Sequence, residues 1–261
     1  MRNFWDKQIE RADALAATAS GSKELLLFYA QLLRAQCKMY EYFTAQTDSP
    51  SGEVQKDLPA IKNATPYLLD RVSSCGPTTL AAEARDLSGV GGQVLEEQVL
   101  GYWTNPSDVQ FFAKATLQPY MRWLRDVGVK PVGRQLEHGE ARCPFCGGNP
   151  QVSFLQAKES GGESGNRDLI CATCLSSWEF RRVLCVNCGE ERPEKIGYFH
   201  SPEFEHIRIE ACDCCKHYLK GVDLTRLGLA VPLVDEIYAA PLDLWAREHG
   251  YTKIELNLVG I

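Results

Sequence analysis

Apolar residues at Leu25, Phe28, Leu32, Met39 and Tyr42/Phe43 recur at a spacing close to one helical turn, with Lys23, Arg34, Lys38 and Glu41 off that stripe. This is the pattern of an amphipathic helix, and aromatic residues within such a stripe belong to a core rather than to a ligand site. Turn formers at Thr47-Asp48-Ser49-Pro50-Ser51-Gly52 interrupt the pattern, and Ser88-Gly89-Val90-Gly91-Gly92 interrupts it again. Those glycines precede no Gly-Lys-Ser/Thr and follow no strand, so a phosphate loop is not expected. Ser107-x-x-Gln110 has the form of a capping box, opening a helix through Phe111, Phe112, Tyr120, Trp123 and Leu124. Pro119 inside that stretch is expected to kink it or split it in two. The segment from Val129 to Glu140, with Pro131, Gly133 and Gly139, reads as a linker. Residues 1 to 135 are therefore expected to form an all-α helical domain.

From Ala141 the period shortens. Gln151–Gln156 and Ser177–Val183, then Ile196–Phe199 and His206–Glu210, are rich in β-branched and aromatic residues and bounded by turns, which predicts two couples of short strands. A polar Gly/Ser-rich loop, residues 158–166, separates the first couple. After Gly221 a helix is expected to begin at Pro232, with Leu233, Ile237, Leu244 and Trp245 toward a core and Gly250 as its C′ residue. Ile254-Glu255-Leu256-Asn257-Leu258 alternates like an edge strand.

Composition changes this picture only through its cysteines. With 261 residues, 44% apolar and 24% charged, the chain is an ordinary globular sequence. It carries no apolar run long enough to span a bilayer, and Met1–Lys7 shows no basic stretch leading into an apolar one. The expectation is a cytoplasmic protein with reduced thiols. Of the eleven cysteines, Cys37 and Cys75 stand alone and are expected to be small buried residues; the other nine fall between Cys143 and Cys215. In a reducing compartment such a cluster points to metal binding or thiol chemistry rather than to disulfides.

Eight of the nine form Cys-x-x-Cys pairs: Cys143/Cys146, Cys171/Cys174, Cys185/Cys188 and Cys212/Cys215. A two-residue spacer lets one tight turn aim both sulfurs at one ion, and two such turns close a tetrahedron. Gly147 and Gly189 each follow the second cysteine of a pair, where a positive φ is needed. The gap from Cys146 to Cys171 is 24 residues and that from Cys188 to Cys212 is 23. That match suggests a duplicated unit, with Cys143, Cys146, Cys171 and Cys174 as one site and Cys185, Cys188, Cys212 and Cys215 as the other. An interleaved arrangement, first pair with third and second with fourth, is the alternative the spacing leaves open. Cys214 is surplus and is expected to be a free thiol. Four thiolates leave no open coordination position, which excludes water activation at the metal, and they suit zinc or iron. Lys216, Lys220, Arg181 and Arg182 are candidates to offset the residual charge, or simply surface residues. His138, His200, His206, His217 and His249 are scattered and not expected to ligate; no hydrolase or dinucleotide signature occurs.

The order, spacing and companions of these cysteines resemble the accessory proteins required for assembly of bacterial formate dehydrogenases. The residues carrying this are Cys143-Pro-Phe-Cys146-Gly147, the run from Leu169 through Trp178-Glu179 to Arg182-Val183, Cys185-Val-Asn-Cys188, Tyr198, and Cys212-Asp213-x-Cys215-x-x-Tyr218-Leu219-Lys220. Cys214 departs from the small polar residue more usual in that family. The resemblance implies an α+β architecture: the helical domain, two tandem rubredoxin-like or zinc-ribbon β modules (residues 141–184 and 185–221), and a C-terminal helix and short strand (residues 222–261) packing on the rest. It also implies two iron ions, with zinc as the alternative occupant, on the eight paired cysteines. The implied partner is the catalytic subunit of formate dehydrogenase, and the implied role is that of an accessory protein rather than an enzyme. The competing readings are a rubredoxin-like electron-transfer protein and a zinc-ribbon nucleic-acid-binding protein. The latter needs a basic face, whereas residues 141–221 hold 10 Lys and Arg against 11 Asp and Glu.

Overall fold

A computed structural model describes residues 4–89, 93–106, 110–133, 139–157 and 166–261. Part of the glycine break near Gly91, Ser107 of the capping box, His138, and all but Asn166 of the polar loop lie outside the described residues. The N-terminal region is helical, as its periodicity predicts: α1 (Phe4–Thr18), α2 (Lys23–Thr44), α3 (Val54–Ala64), α4 (Pro66–Cys75), α5 (Thr78–Gly89), α6 (Gln93–Thr104) and α7 (Phe111–Asp126). Helix α2 is its axis, packing against α1, α4 and α7. Leu32, Met39 and Phe43 of the predicted stripe are buried, while Leu25, Phe28 and Tyr42 are half-buried because further neighbours bury Leu26, Tyr29 and Leu33 on another side. Phe43 stacks on Trp123 of α7 with ring centroids 5.5 Å apart.

Helix α7 runs unbroken through Pro119. A proline removes the N–H that would bond the carbonyl four residues earlier. Here that carbonyl, Ala115 O, accepts the side-chain amide of Gln36 at 2.9 Å instead. The lost bond is thus replaced from α2, and the expected split does not occur. Cys37 is buried as expected, whereas Cys75, at the end of α4, is exposed.

Seven strands among the described residues form one sheet: β1 (Pro150–Gln156), β2 (Asn166–Cys171), β3 (Ser177–Phe180), β4 (Ile196–His200), β5 (Ile207–Cys212), β6 (His217–Asp223) and β7 (Thr252–Lys253). Its order is β3-β2-β1-β6-β5-β4, with β7 beside β6. β1–β3 and β4–β6 are two antiparallel meanders of the same build. The first strand of one pairs parallel with the third strand of the other, Val152 opposite Lys220 and Leu155 opposite Asp223. The duplicated units therefore share a continuous sheet.

Beyond the sheet the chain forms two short helices, α8 (Pro232–Tyr238) and α9 (Ala240–Glu248), ending at Gly250 with φ +79°. The expected strand at Ile254–Leu258 is absent; the strand is Thr252–Lys253. The polar positions of that segment turn inward: Asn257 Nδ2 donates to Glu236 at 2.9 Å, and Glu255 meets Lys114 of α7 at 2.5 Å and Asn149 at 3.0 Å. The alternation of this segment reflects inward-facing polar anchors rather than the two faces of a strand. No helix among the described residues is long and apolar enough to cross a membrane.

Ion pairs join these layers. Arg11 of α1 grips Asp235 of α8 through two hydrogen bonds, 2.9 and 2.5 Å, and His206 Nε2 lies 2.8 Å from the same carboxylate. On the sheet, Glu210 is paired with Arg167 at 2.6 Å and Arg208 at 2.7 Å. Burial alone would push both carboxyls up, but these cationic and hydrogen-bonding partners outweigh it and hold Asp235 and Glu210 below the ordinary carboxylate range. A lowered folded-state pKa contributes stability that is fully present above the unfolded value, about 4, and is lost as pH falls through the folded value. The urea midpoint should therefore stay level from pH 7 to about 5 and fall steeply below about 4. A midpoint that stays level down to pH 3 would refute this linkage.

Candidate metal centres

The four Cys-x-x-Cys pairs sit on tight turns of one design. The residue after each second cysteine has a left-handed backbone: Gly147 (φ +67°), Leu175 (+57°), Gly189 (+73°) and Lys216 (+57°). Each donates its N–H back to the carbonyl of the first cysteine, at 2.8, 3.2, 3.0 and 2.8 Å respectively. The sequence indicates this conformation at the two glycines. It gives no sign of it at Leu175 and Lys216, where a side chain accepts a strained φ. The first turn of each meander stands before a strand, and the second is fed directly by one, β2 into Cys171 and β5 into Cys212. The sheet thereby brings the two turns of each meander face to face.

The result is two clusters, Cys143, Cys146, Cys171 and Cys174, and Cys185, Cys188, Cys212 and Cys215, with all sulfurs of a cluster within 4.8 Å of one another. The interleaved alternative is not the observed grouping. Across the first cluster Cys143 and Cys174 sulfurs are 3.5 Å apart, and those of Cys146 and Cys171 are 3.4 Å apart. In the second, Cys185–Cys215 and Cys188–Cys212 are each 3.7 Å apart. A tetrahedron with bonds of about 2.3 Å has edges of about 3.8 Å. Both clusters therefore fit a four-coordinate ion, and an all-sulfur donor set suits zinc or iron and leaves no position open to water. Among the thiols of the first cluster, hydrogen bonds from Cys146, Cys171 and Cys174 pull Cys143 far down, while burial pushes Cys171 up. In the second cluster burial raises Cys185 to about 11; Cys215 also feels burial, but hydrogen bonds from Asn187, the His217 N–H and the neighbouring thiols bring it to about 7.

The two clusters sit in different surroundings. All four cysteines of the first are buried within the main hydrophobic core, together with residues of the helical region. Gln118 of α7 donates to Ala172 O at 2.8 Å, inside the turn Cys171–Cys174, and in turn accepts from Gln36 of α2 at 2.9 Å. Gly148 presses on this cluster: a Cβ there would lie 2.9 Å from Cys171 Sγ and 2.9 Å from Thr173 Oγ1. Its counterpart in the second unit is Glu190, since Cys143 and Cys185 donate their N–H groups to Gly148 O and Glu190 O respectively. Gly148→Ala should consequently cost ~1–3 kcal/mol and weaken retention of one metal equivalent, as read by urea unfolding and metal content. Glu190→Ala, which removes a carboxylate bonded to Arg192 and to the backbone N–H groups of Glu191 and Arg192, should leave metal retention unchanged. Equal behaviour of the two variants would refute the packing argument. In the second cluster Cys188 is exposed and Cys215 partly so.

Cys214 is exposed and outside the second cluster. No histidine joins either group among the described residues; His217 Nδ1 instead lies 2.7 Å from Cys215 O. Lys220 is fully buried, contrary to the surface reading, and meets Asp243 and the Glu236 carbonyl. Lys216 pairs with Asp213 at 2.5 Å, and Arg181 with Glu191 at 2.7 Å. Neither Gly148 nor the Gln36–Gln118 chain is expected from the cysteine spacing. The Gly147-Gly148 doublet, set against Gly189-Glu190, is a signal for the first; nothing in the sequence marks the second.

Residues 142–182 match the family model described as FdhE, central domain, and residues 183–259 that described as FdhE, C-terminal domain. A protein named FdhE homolog from Aquifex aeolicus is 43% identical over 152 residues, which cover 58% of this chain and 52% of that protein, about half its length. A protein of the same name from Haemophilus influenzae is 29% identical, with 98% of this chain and 88% of that protein aligned. The crystal structure of the FdhE protein from Pseudomonas aeruginosa has the same fold, with a TM-score of 0.72 at 21% identity over 98% of this chain and 95% of that one. With two cysteine clusters in a shared sheet beneath a helical region, the chain belongs to the FdhE family, the formate dehydrogenase accessory family.

Proposed function

We propose that the chain is a cytoplasmic accessory protein for maturation of formate dehydrogenase, docking the immature catalytic subunit, and is not itself an enzyme. In this reading the eight paired cysteines hold two metal ions, iron in the first instance and zinc as the alternative occupant. The observation that carries it is the pair of closed four-sulfur clusters, which offer no coordination site for a substrate. They equip the chain to present a rigid, metal-stapled surface rather than to turn over a small molecule. Membership of the formate dehydrogenase accessory family supports that enzyme as the partner. Nucleic acid is disfavoured by the near-neutral charge of residues 141–221. A rubredoxin-like electron-transfer role is the second reading; the exposed Cys188 edge favours it, since electrons need a short path to the ion.

Affinity-tagged chain, incubated with the catalytic subunit of formate dehydrogenase before cofactor insertion, should retain that subunit, and deletion of the gene should lower formate dehydrogenase activity. Absence of both effects refutes the accessory reading. Retention of reversible redox cycling without subunit binding would favour electron transfer.

A further inference from the structure

The two clusters share a design and differ in access, and that difference has a consequence for the ions they hold. To reach an ion in the first cluster, a competing ligand must open the main core. Residues 171–176 are buried throughout, Gln118 closes over Ala172, and Gly148 covers the sulfurs of Cys146 and Cys171. The second cluster is outside both hydrophobic clusters of buried residues. Residues 187–189 and 213–214 are exposed around it, and where Gly148 covers the first cluster the second unit has Glu190, whose carboxylate turns away to Arg192 at 2.6 Å. Opening free energies within a protein range from near zero at exposed turns to the global value in the core. The solvent access of a metal site is set by the shell around it.

We infer that the second cluster (Cys185, Cys188, Cys212, Cys215) is an exchangeable metal site that gains and loses its ion through the Cys188–Cys215 edge, while the first is a permanent staple of the fold. This rests on the reading that both clusters bind metal. It gives the two sites separate tasks. The first sets the platform on which α7 and the sheet meet, and the second responds to the metal supply or to a thiol-bearing or metal-bearing partner at the surface.

The test uses the full chain loaded with zinc and an excess of the chromogenic chelator 4-(2-pyridylazo)resorcinol. Two equivalents should be released, one at least about tenfold faster than the other. The variant carrying Cys185→Ser and Cys188→Ser should lose the fast phase and keep the slow one. Alkylation of the wild-type chain with N-ethylmaleimide, followed by peptide mapping, gives the same answer without a variant. Cys75 and Cys214 should label at once, the four cysteines of the second cluster as the first ion leaves, and those of the first cluster last. Release of both ions in a single phase, or early labelling of Cys143, Cys146, Cys171 and Cys174, overturns the inference. Fewer than two ions recovered after denaturation overturns the metal reading and this inference with it.

Discussion

Replacing Cys143 and Cys146 together by serine should remove one metal equivalent and collapse the cooperative unfolding of the whole chain. The first cluster belongs to the same buried core as the helical region and strands β1 and β2, and α7 reaches it through Gln118, so its loss is not confined to one turn. Structural zinc contributes on the order of 10–16 kcal/mol of apparent binding free energy in small modules, and that energy is folding energy. The total stability of a domain is only about 5–15 kcal/mol. A loss of even half the metal term therefore brings the folded state to the edge of existence. Thermal unfolding followed by circular dichroism should show a broad or absent transition for this variant. The matching pair Cys185→Ser and Cys188→Ser should lower the midpoint yet keep a cooperative transition, because its cluster is peripheral. Full retention of the wild-type midpoint by the Cys143/Cys146 variant would sink the claim that this cluster holds the core together.

Lys220→Met should destabilise the chain by about 3–5 kcal/mol. Lys220 and Lys253 are buried with Glu236 and Asp243 where β6, β7, α8 and α9 meet. Tyr218 adds a hydrogen bond to Asp243 at 2.7 Å, and Asn257 one to Glu236 at 2.9 Å. Burial and the like charge of Lys253 hold the Lys220 ammonium below the ordinary lysine range, and the two carboxylates oppose that shift. The group is balanced, two cations against two anions, and removing one cation strands a buried carboxylate. Adding Asp243→Asn to Lys220→Met should restore much of the loss, since charge balance returns. Urea unfolding of the two single variants and the double variant measures the coupling. Strictly additive losses would show that the quartet does not act as a unit.

The parts of this fold that could be read from the sequence are those governed by local chemistry. The period of α2, the proline opening α8 and the knuckle glycines each follow from short-range rules. So did the cysteine grouping, because a two-residue spacer and matched gaps constrain where sulfurs can go. What escaped was long-range. The parallel pairing of β1 with β6, which fuses the two meanders, links residues about seventy apart and leaves no local trace. Strands β2 and β6 are both absent from the sequence expectation, because Arg167-Asp168 and Lys220 interrupt their apolar runs. β2 stands between the two strands expected to form the first couple, with Arg167 tolerated by its pairing with Glu210 and Lys220 by its burial against Glu236 and Asp243. Gln36 rescues the carbonyl freed by Pro119 from another helix, so neither residue alone announces an unbroken α7. The difference between the clusters leaves one local mark, Gly147-Gly148 against Gly189-Glu190; the packing of α7 on the first cluster leaves none.

The claim at the centre of this account is that both four-cysteine clusters hold an ion. Metal analysis of the anaerobically purified chain, together with its visible spectrum, tests it most directly. The expected result is two equivalents of iron or zinc per folded chain, with visible thiolate-to-iron absorption where ferric iron is present. A folded chain that still carries one equivalent or none after loading with excess metal would contradict it.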